Sequence, residues 1–332
     1  MAGPTITLAC QAYDRTLPIL RGLVQPRGFE LSVEEMDNVP TMFARMHAGD
    51  FDASEMSLAE MVYAISRGES DLIGVPIFPS RVFRHSYIYC GSSSDLKELS
   101  DLDGKRVAFP RLVQTASIWQ RGVLTEDHGV SPASTEFLYA SIHHWDQDVD
   151  EGITPRDGSG TPSVWRPGNA NKAMPAEQAV ADGEIEAVAT TVPHTRMPSQ
   201  ERVRRVLDDY QQAEIDYFRR TRIFPIMHMV AVKREMAERH PELPQALFEM
   251  FVEAKQRAND WLKREPSLSL AWKGRYMEEE REVFDSDPWA YGLEANRHVV
   301  DKFLGYCYDQ GISTRPMEAQ ELFLPGTWDF EE

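Results

Sequence analysis

Two stretches of the chain follow one pattern, and that repetition restricts the fold more than any other feature. TITLACQAYDRTLPILRGLV (residues 5–24) runs from a strand-like segment through a polar loop to an apolar helical pattern ending in Arg21-Gly22. KRVAFPRLVQTASIWQRGVL (105–124) does the same and ends in Arg121-Gly122. Further on, MHAGDFDASEMS (46–57) and AVADGEIEAVATT (179–191) share helix, glycine, acid, apolar residue and then strand. The units keep the same order in both halves. A strand whose following helix crosses back to a parallel neighbour is the βαβ unit, so each half predicts an α/β sheet of its own.

Length points the same way. At 332 residues the chain exceeds the roughly 250–300 at which one core stops growing, so two lobes are expected. Lobe one is predicted to span 1–92 plus 225–332 with the C-terminal helices, and lobe two 93–224. Residues 147–175 are rich in Gly, Pro and polar residues and read as an irregular surface insertion. After residue 200 apolar residues recur at three and four, the helical period, interrupted by a short strand MHMVAVK at 227–233. The apolar stripes after residue 240 suit packing against their own lobe, with a homo-oligomer interface as the alternative.

Charge narrows the function. The chain has 35 Lys+Arg against 53 Asp+Glu, a formal net charge of -18, which argues against a nucleic-acid or anionic-membrane partner. An anionic ligand must then be small and locally held. Cys10, Cys90 and Cys307 are far apart and form no C-x-x-C, which fits buried thiols in a reducing compartment. The N-terminus shows no basic region followed by an apolar one and reads into a strand, so a cytoplasmic protein is expected.

In open α/β sheets ligands lie beyond the carboxyl ends of the strands. The segments following the predicted strands are YDRT (13–16), SEMS (54–57), FPSRVFRHS (78–86), PRLVQTAS (110–117) and TTVPHTR (190–196), with IFPIMH (223–228) introducing the late strand. Arg15, Arg81, Arg84 and Arg111 in these segments offer planar forks that match a carboxylate. Ser57, Thr115 and Ser117 lie near helix starts, where they can face an anion or simply cap the helix. Extended backbone would turn Arg81 and Arg84 to opposite sides, leaving one to pair with an acid such as Glu55 or Asp14.

His85 and His228 both open a strand after an aromatic-proline loop and are the leading candidates for proton chemistry, ahead of His194 and the His143-His144 pair. HHWD at 143–146 could suggest a metal, but adjacent strand residues diverge and no second ligand cluster accompanies it. No Gly-rich phosphate loop, nucleophile elbow or cysteine nucleophile motif is present.

Taken together, YDRT, GDFDASEMS, FPSRVFRHS, TASIWQRGVL, EDHGV, FPIMH and DPWAYGLEANR resemble the 4,5-dihydroxyphthalate decarboxylase family from about residue 6 to about residue 315. EDHGV departs from the family pattern in carrying His128. The resemblance implies a type II periplasmic-binding-protein-like fold, two α/β lobes around a central cleft. It also implies a carboxy-lyase that turns 4,5-dihydroxyphthalate, or a close hydroxylated aromatic acid, into protocatechuate plus CO2, with no cofactor and no metal. Under it, Arg81 and Arg84, helped by Arg15 and Thr115, hold the carboxylates. His85 is the first choice as proton donor and His228 as phenol base, in exchangeable roles, with Glu55 orienting or acting as alternate base. The alternative is a non-catalytic solute-binding protein for a small aromatic or organic acid, which the fold hosts more often than enzymes.

Overall fold

The computed structural model describes residues 3–139, 153–160, 163–164, 176–197, 200–264 and 268–332. Its strands are β1 (Thr5–Cys10), β2 (Glu30–Glu35), β3 (Ala53–Ser57), β4 (Leu72–Arg81), β5 (Ile88–Gly91), β6 (Arg106–Phe109), β7 (Glu136–Tyr139), β8 (Ser163–Val164), β9 (Ala187–Ala189), β10 (Val203–Arg205) and β11 (Ile226–Lys233). Its helices are α1 (Leu17–Leu20), α2 (Val39–His47), α3 (Leu58–Arg67), α4 (Thr115–His128), α5 (Ala176–Ala181), α6 (Tyr210–Thr221), α7 (Arg234–Arg239), α8 (Leu243–Leu262), α9 (Lys273–Val283) and α10 (Leu293–Asp309).

The chain divides into two compact units. The first comprises Met1–Arg81, Ile226–Val300 and Glu318–Glu332; the second comprises Val82–Pro225 and Asp301–Met317. The first unit holds a sheet ordered β2-β1-β3-β11-β4, in which β1 runs parallel to β2 and β3 while β11 runs antiparallel to β3 and β4. The second unit's sheet is ordered β10-β5-β9-β6-β7-β8, with β6 parallel to β7 and β9, and β5 antiparallel to β9 and β10. From β7 to β10 this is the first sheet's order again. The strands that correspond, β1 with β6 and β3 with β9, are those carrying the repeated sequence pattern.

Two boundaries differ from the expectation. Residues 82–92 belong to the second unit, because β5 pairs with β9 and β10. Residues 301–317 join that unit as well, since α10 continues past Val300 and packs Phe303 and Tyr306 against Trp119. Of the 147–175 stretch, residues 153–160 are tied to the second unit. Arg121, buried, pairs with Asp157 at 2.5 Å and with Tyr139 Oη at 2.7 Å, and Arg156 donates to the Tyr308, Ser313 and Thr314 carbonyls around the end of α10. His143 and His144 lie outside the described residues.

FPSR is not a loop. Every residue of β4 is buried, so it lacks the alternation that marks a half-exposed strand, and it runs through Phe78 to Arg81. Pro76 and Pro79 cannot donate to the ladder, and opposite β11 the register jumps from His228↔Ser80 to Val230↔Val75. The result is a bulge beside His228, which frees carbonyls for other partners. Gly74, earlier in β4, sits under the C-terminal segment. A Cβ there would fall 1.9 Å from the Met229 side chain and 2.6 Å from the Leu322 carbonyl oxygen, and Leu324 N–H donates to the Gly74 carbonyl.

Candidate functional site

β3 and β11 are paired, with Ser57 opposite His228 and Glu55 opposite Val230. Glu55 lies on the inner part of β3 with no solvent exposure, and its Oε1 accepts from His228 Nδ1 at 2.6 Å. An acceptor-only carboxylate on Nδ1 makes that nitrogen the donor, so Nε2 is the ring's other working face. Nε2 makes no hydrogen bond among the described residues, and the His228 side chain keeps 17% of its exposure. Phe43 meets the imidazole edge-on at 5.2 Å and limits its tilt.

Glu55 is held from two more sides. Gln11 N–H donates to its Oε2 at 3.1 Å, and Tyr13 Oη lies 2.8 Å from its Oε1 and 2.6 Å from Gln11 Oε1. Burial pushes the carboxyl up, but the hydrogen bond and charge of His228, with the Gln11 and Tyr13 donors, outweigh it and hold Glu55 below the ordinary carboxylate value. Burial and the Glu55 charge raise the Tyr13 phenol, which therefore stays protonated and can donate.

Tyr13 also carries the network to Arg15. The Arg15 guanidinium lies 4.3 Å from the Tyr13 ring and 3.8 Å from the Trp289 ring. Its Nε donates to the Pro79 carbonyl at 2.6 Å and its Nη1 to Asp14 at 3.0 Å, leaving Nη2 uncommitted among the described residues. A guanidinium stacked and tied in this way is pre-organised for a carboxylate. Arg15 and Trp289 also line a cavity of about 500 Å³ in the first unit, together with Lys255, Met277, Glu280 and Phe284. Glu55 and His228 do not line it. Glu280 is raised by burial and by the charges of Asp14 and Asp287.

The other expected residues are placed differently. Ser57 caps α3, accepting from Glu60 N–H at 3.4 Å. Arg81 is 4% exposed and gives its guanidinium to the Ala290 carbonyl and Asn296, so its fork serves the protein interior rather than a ligand. The acids proposed as its neighbours are engaged elsewhere, Asp14 with Arg15 and Glu55 with His228.

Arg84, His85, Arg111, Thr115 and Ser117 all belong to the second unit. Arg84 is nearly buried over the Tyr87 ring at 4.8 Å, and Arg111 is half-buried. Thr115 is the first residue of α4 and is buried; Ser117 Oγ donates to Gln114 at 2.9 Å. His194 bonds the Val203 carbonyl through Nε2 at 3.1 Å.

His85 lies in a single 3-10 turn before β5, not at the opening of a strand. It is 2% exposed, and neither ring nitrogen has a hydrogen-bond partner among the described residues. Tyr217 and His128 pack edge-on against it at 5.0 and 5.9 Å. Burial, then the charges of His128 and Arg220, push its pKa down to about 3. A neutral imidazole does not suit the proton-donor role expected of it.

Tyr13, Gln11 and Trp289 were not singled out from sequence as site residues. YDRT contained Tyr13 and DPWAYG contained Trp289, but their partners lie 42 and 274 residues away, beyond any local pattern.

Residues 10–264 match the family described as "ABC transporter, phosphonate, periplasmic substrate-binding protein". The 4,5-dihydroxyphthalate decarboxylase of Comamonas testosteroni is 31% identical over 325 residues, which is 97% of this chain and 97% of that one. A 4,5-dihydroxyphthalate decarboxylase of Pseudomonas putida is 33% identical over 133 residues, 40% of this chain and 52% of its own. The solved periplasmic aliphatic sulphonate binding protein of Escherichia coli superposes with a TM-score of 0.54 at 15% identity, covering 97% of this chain and 92% of that one. The fold is that of the periplasmic binding proteins, as the sequence resemblance implied. Among the described residues no helix is long and apolar enough to cross a membrane, and no group of three or more His, Cys, Asp or Glu could hold a metal.

Proposed function

Because the chain belongs to the family described as ABC transporter, phosphonate, periplasmic substrate-binding protein, and with it to the 4,5-dihydroxyphthalate decarboxylases, we propose that it is a carboxy-lyase acting on a hydroxylated aromatic dicarboxylate. The substrate is 4,5-dihydroxyphthalate or a close analogue, and the products are a catechol mono-acid (protocatechuate) and CO2. The observation that carries this reading is the Glu55–His228 pair. A receptor needs hydrogen-bond donors alone, whereas a buried carboxylate behind a partly exposed imidazole is built to move a proton.

In 4,5-dihydroxyphthalate each carboxylate is para to a hydroxyl, whose lone pair enriches the ring carbon that bears the carboxylate. Protonated His228, paired with Glu55, delivers a proton from Nε2 to that carbon. The ring gives up aromaticity and the para oxygen shares the positive charge. The bond to the carboxylate then breaks, its electron pair returns to the ring, and CO2 leaves. One proton is taken up and one CO2 released per turnover, with His228 reprotonated from solvent. No redox step or external electron sink is involved, and the hydroxyl keeps its proton. His228 therefore takes the donor role in this reading, and no separate phenol base is required.

Arg15 is assigned to the carboxylate that stays on the ring, a charge-assisted contact about twice as strong as a neutral one. Glu55 orients His228 and balances its charge, and Tyr13 and Gln11 hold Glu55. A cytoplasmic location belongs to the same reading, supported by three buried unpaired thiols, Cys10, Cys90 and Cys307.

The test is turnover. Wild-type protein given 4,5-dihydroxyphthalate is expected to release CO2 and a catechol mono-acid, and His228→Gln to lose about 10²–10⁴ in kcat. The match of residues 10–264 to substrate-binding proteins favours a second reading, a receptor for the same class of acid. Ligand-dependent stabilisation without any product would select the receptor.

A further inference from the structure

The bulge in β4 and the turn at 287–292 are tied together by buried groups. The Pro76 carbonyl accepts from Gly292 N–H at 2.8 Å, and the Pro79 carbonyl accepts from Arg15 Nε at 2.6 Å. At the end of β4, Arg81 Nη2 donates to the Ala290 carbonyl at 2.9 Å and to Asn296, which itself donates to the Ala290 and Gly292 carbonyls at 2.9 and 2.8 Å. From α8, buried Lys255 reaches the same turn, bonding Asp287 at 2.6 Å and the Trp289 carbonyl at 3.0 Å. Trp289, between these anchors, lays its ring 3.8 Å from the Arg15 guanidinium.

Burying a guanidinium is costly unless every contact is well made, and an apolar side chain of similar size often stabilises as well or better. Burial lowers Arg81 to about 10, so the charge persists at neutral pH. A charge kept 4% exposed and bonded to the Ala290 carbonyl and Asn296 of this turn has a positional use. We propose that Arg81 is a positioning residue for substrate recognition: by fixing the 287–292 turn it holds Trp289 against Arg15 and keeps the Arg15 fork set for a substrate carboxylate. The inference rests on the reading of Arg15 as the carboxylate anchor.

Releasing one long side chain before binding weakens association by about three- to tenfold. Arg81→Lys keeps the charge but loses the planar fork. With 4,5-dihydroxyphthalate it is expected to raise KM about three- to tenfold, with kcat within about twofold. Trp289→Leu is expected to do the same, and the double variant to be no worse than Trp289→Leu alone, because both act through one contact. Should Arg81→Lys fail to fold, Asn296→Ala keeps the guanidinium but removes one of its acceptors and the two bonds Asn296 gives to the turn, and is expected to give the same rise. A KM raised by Arg15→Lys but untouched by Arg81→Lys and Asn296→Ala would overturn the inference alone, as would fully multiplicative effects in the double variant. A KM unchanged by Arg15→Lys would overturn the anchor, and the inference with it.

Discussion

Acidification from pH 6.5 to 5 is expected to remove about 2 kcal/mol of stability through His85, at about 1.4 kcal/mol for each pH unit. In the unfolded chain this imidazole takes up a proton near its ordinary 6.5, whereas in the folded protein burial among Tyr217 and His128 delays uptake to about 3. Across that window the unfolded chain binds more protons, so stability falls as pH falls, and the loss reaches about 4 kcal/mol by pH 3, where the folded imidazole is itself half protonated. His85→Phe keeps an aromatic ring against Tyr217 and removes the titration. Urea unfolding of both proteins at pH 7 and pH 5, followed by tyrosine and far-UV signals, isolates the effect. Glu214, which burial raises next to Ser86, titrates in both proteins and cancels in the comparison. Wild type should lose about 2 kcal/mol more than the variant. Parallel losses, or a His85 ring proton that titrates near 6.5 by NMR, would refute the reasoning.

Glu55→Gln keeps a hydrogen-bond acceptor for His228 but removes the charge, and kcat is expected to fall by about 10²-fold with KM little changed. The same substitution should flatten part of the acid limb of stability. Glu55 lies below 4.5 when folded, so its contribution is whole above that pH and is lost as pH falls through the lower folded value. Gly74→Ala must displace the Leu322 backbone as well as Met229, and a loss of about 1–3 kcal/mol is expected, seen as a lower midpoint in thermal unfolding.

The sheet architecture was legible because it is written twice. The strand, loop and helix pattern at 5–24 and 105–124 maps onto β1 and β6, which occupy equivalent places in their sheets. The boundary at 82–92 was not legible, since β5 pairs antiparallel with β9 about a hundred residues later and nothing local announces it. FPSR was misread because Pro79 looks like a loop signal, yet with Pro76 it lies at a bulge inside a buried strand. Of the candidate site, Arg15 and His228 could be named from residue type and place in the sequence. The role of Glu55 came from the family resemblance, and both Glu55 and His228 lie within strands rather than after them. Their connection through Tyr13 and Trp289 could not be named, because it depends on which distant rings the fold delivers. Arg81 and His85 carried the right chemistry in the wrong surroundings: burial turned one inward and left the other neutral.

Solvent deuterium separates catalysis from mere binding most directly. In D2O, the wild-type protein given 4,5-dihydroxyphthalate should yield CO2 and a catechol mono-acid carrying one deuterium on the carbon that lost its carboxylate, with His228→Gln forming it at least about a hundredfold more slowly. Substrate recovered intact after saturating the protein, or product formed at the same rate by His228→Gln, would contradict the account.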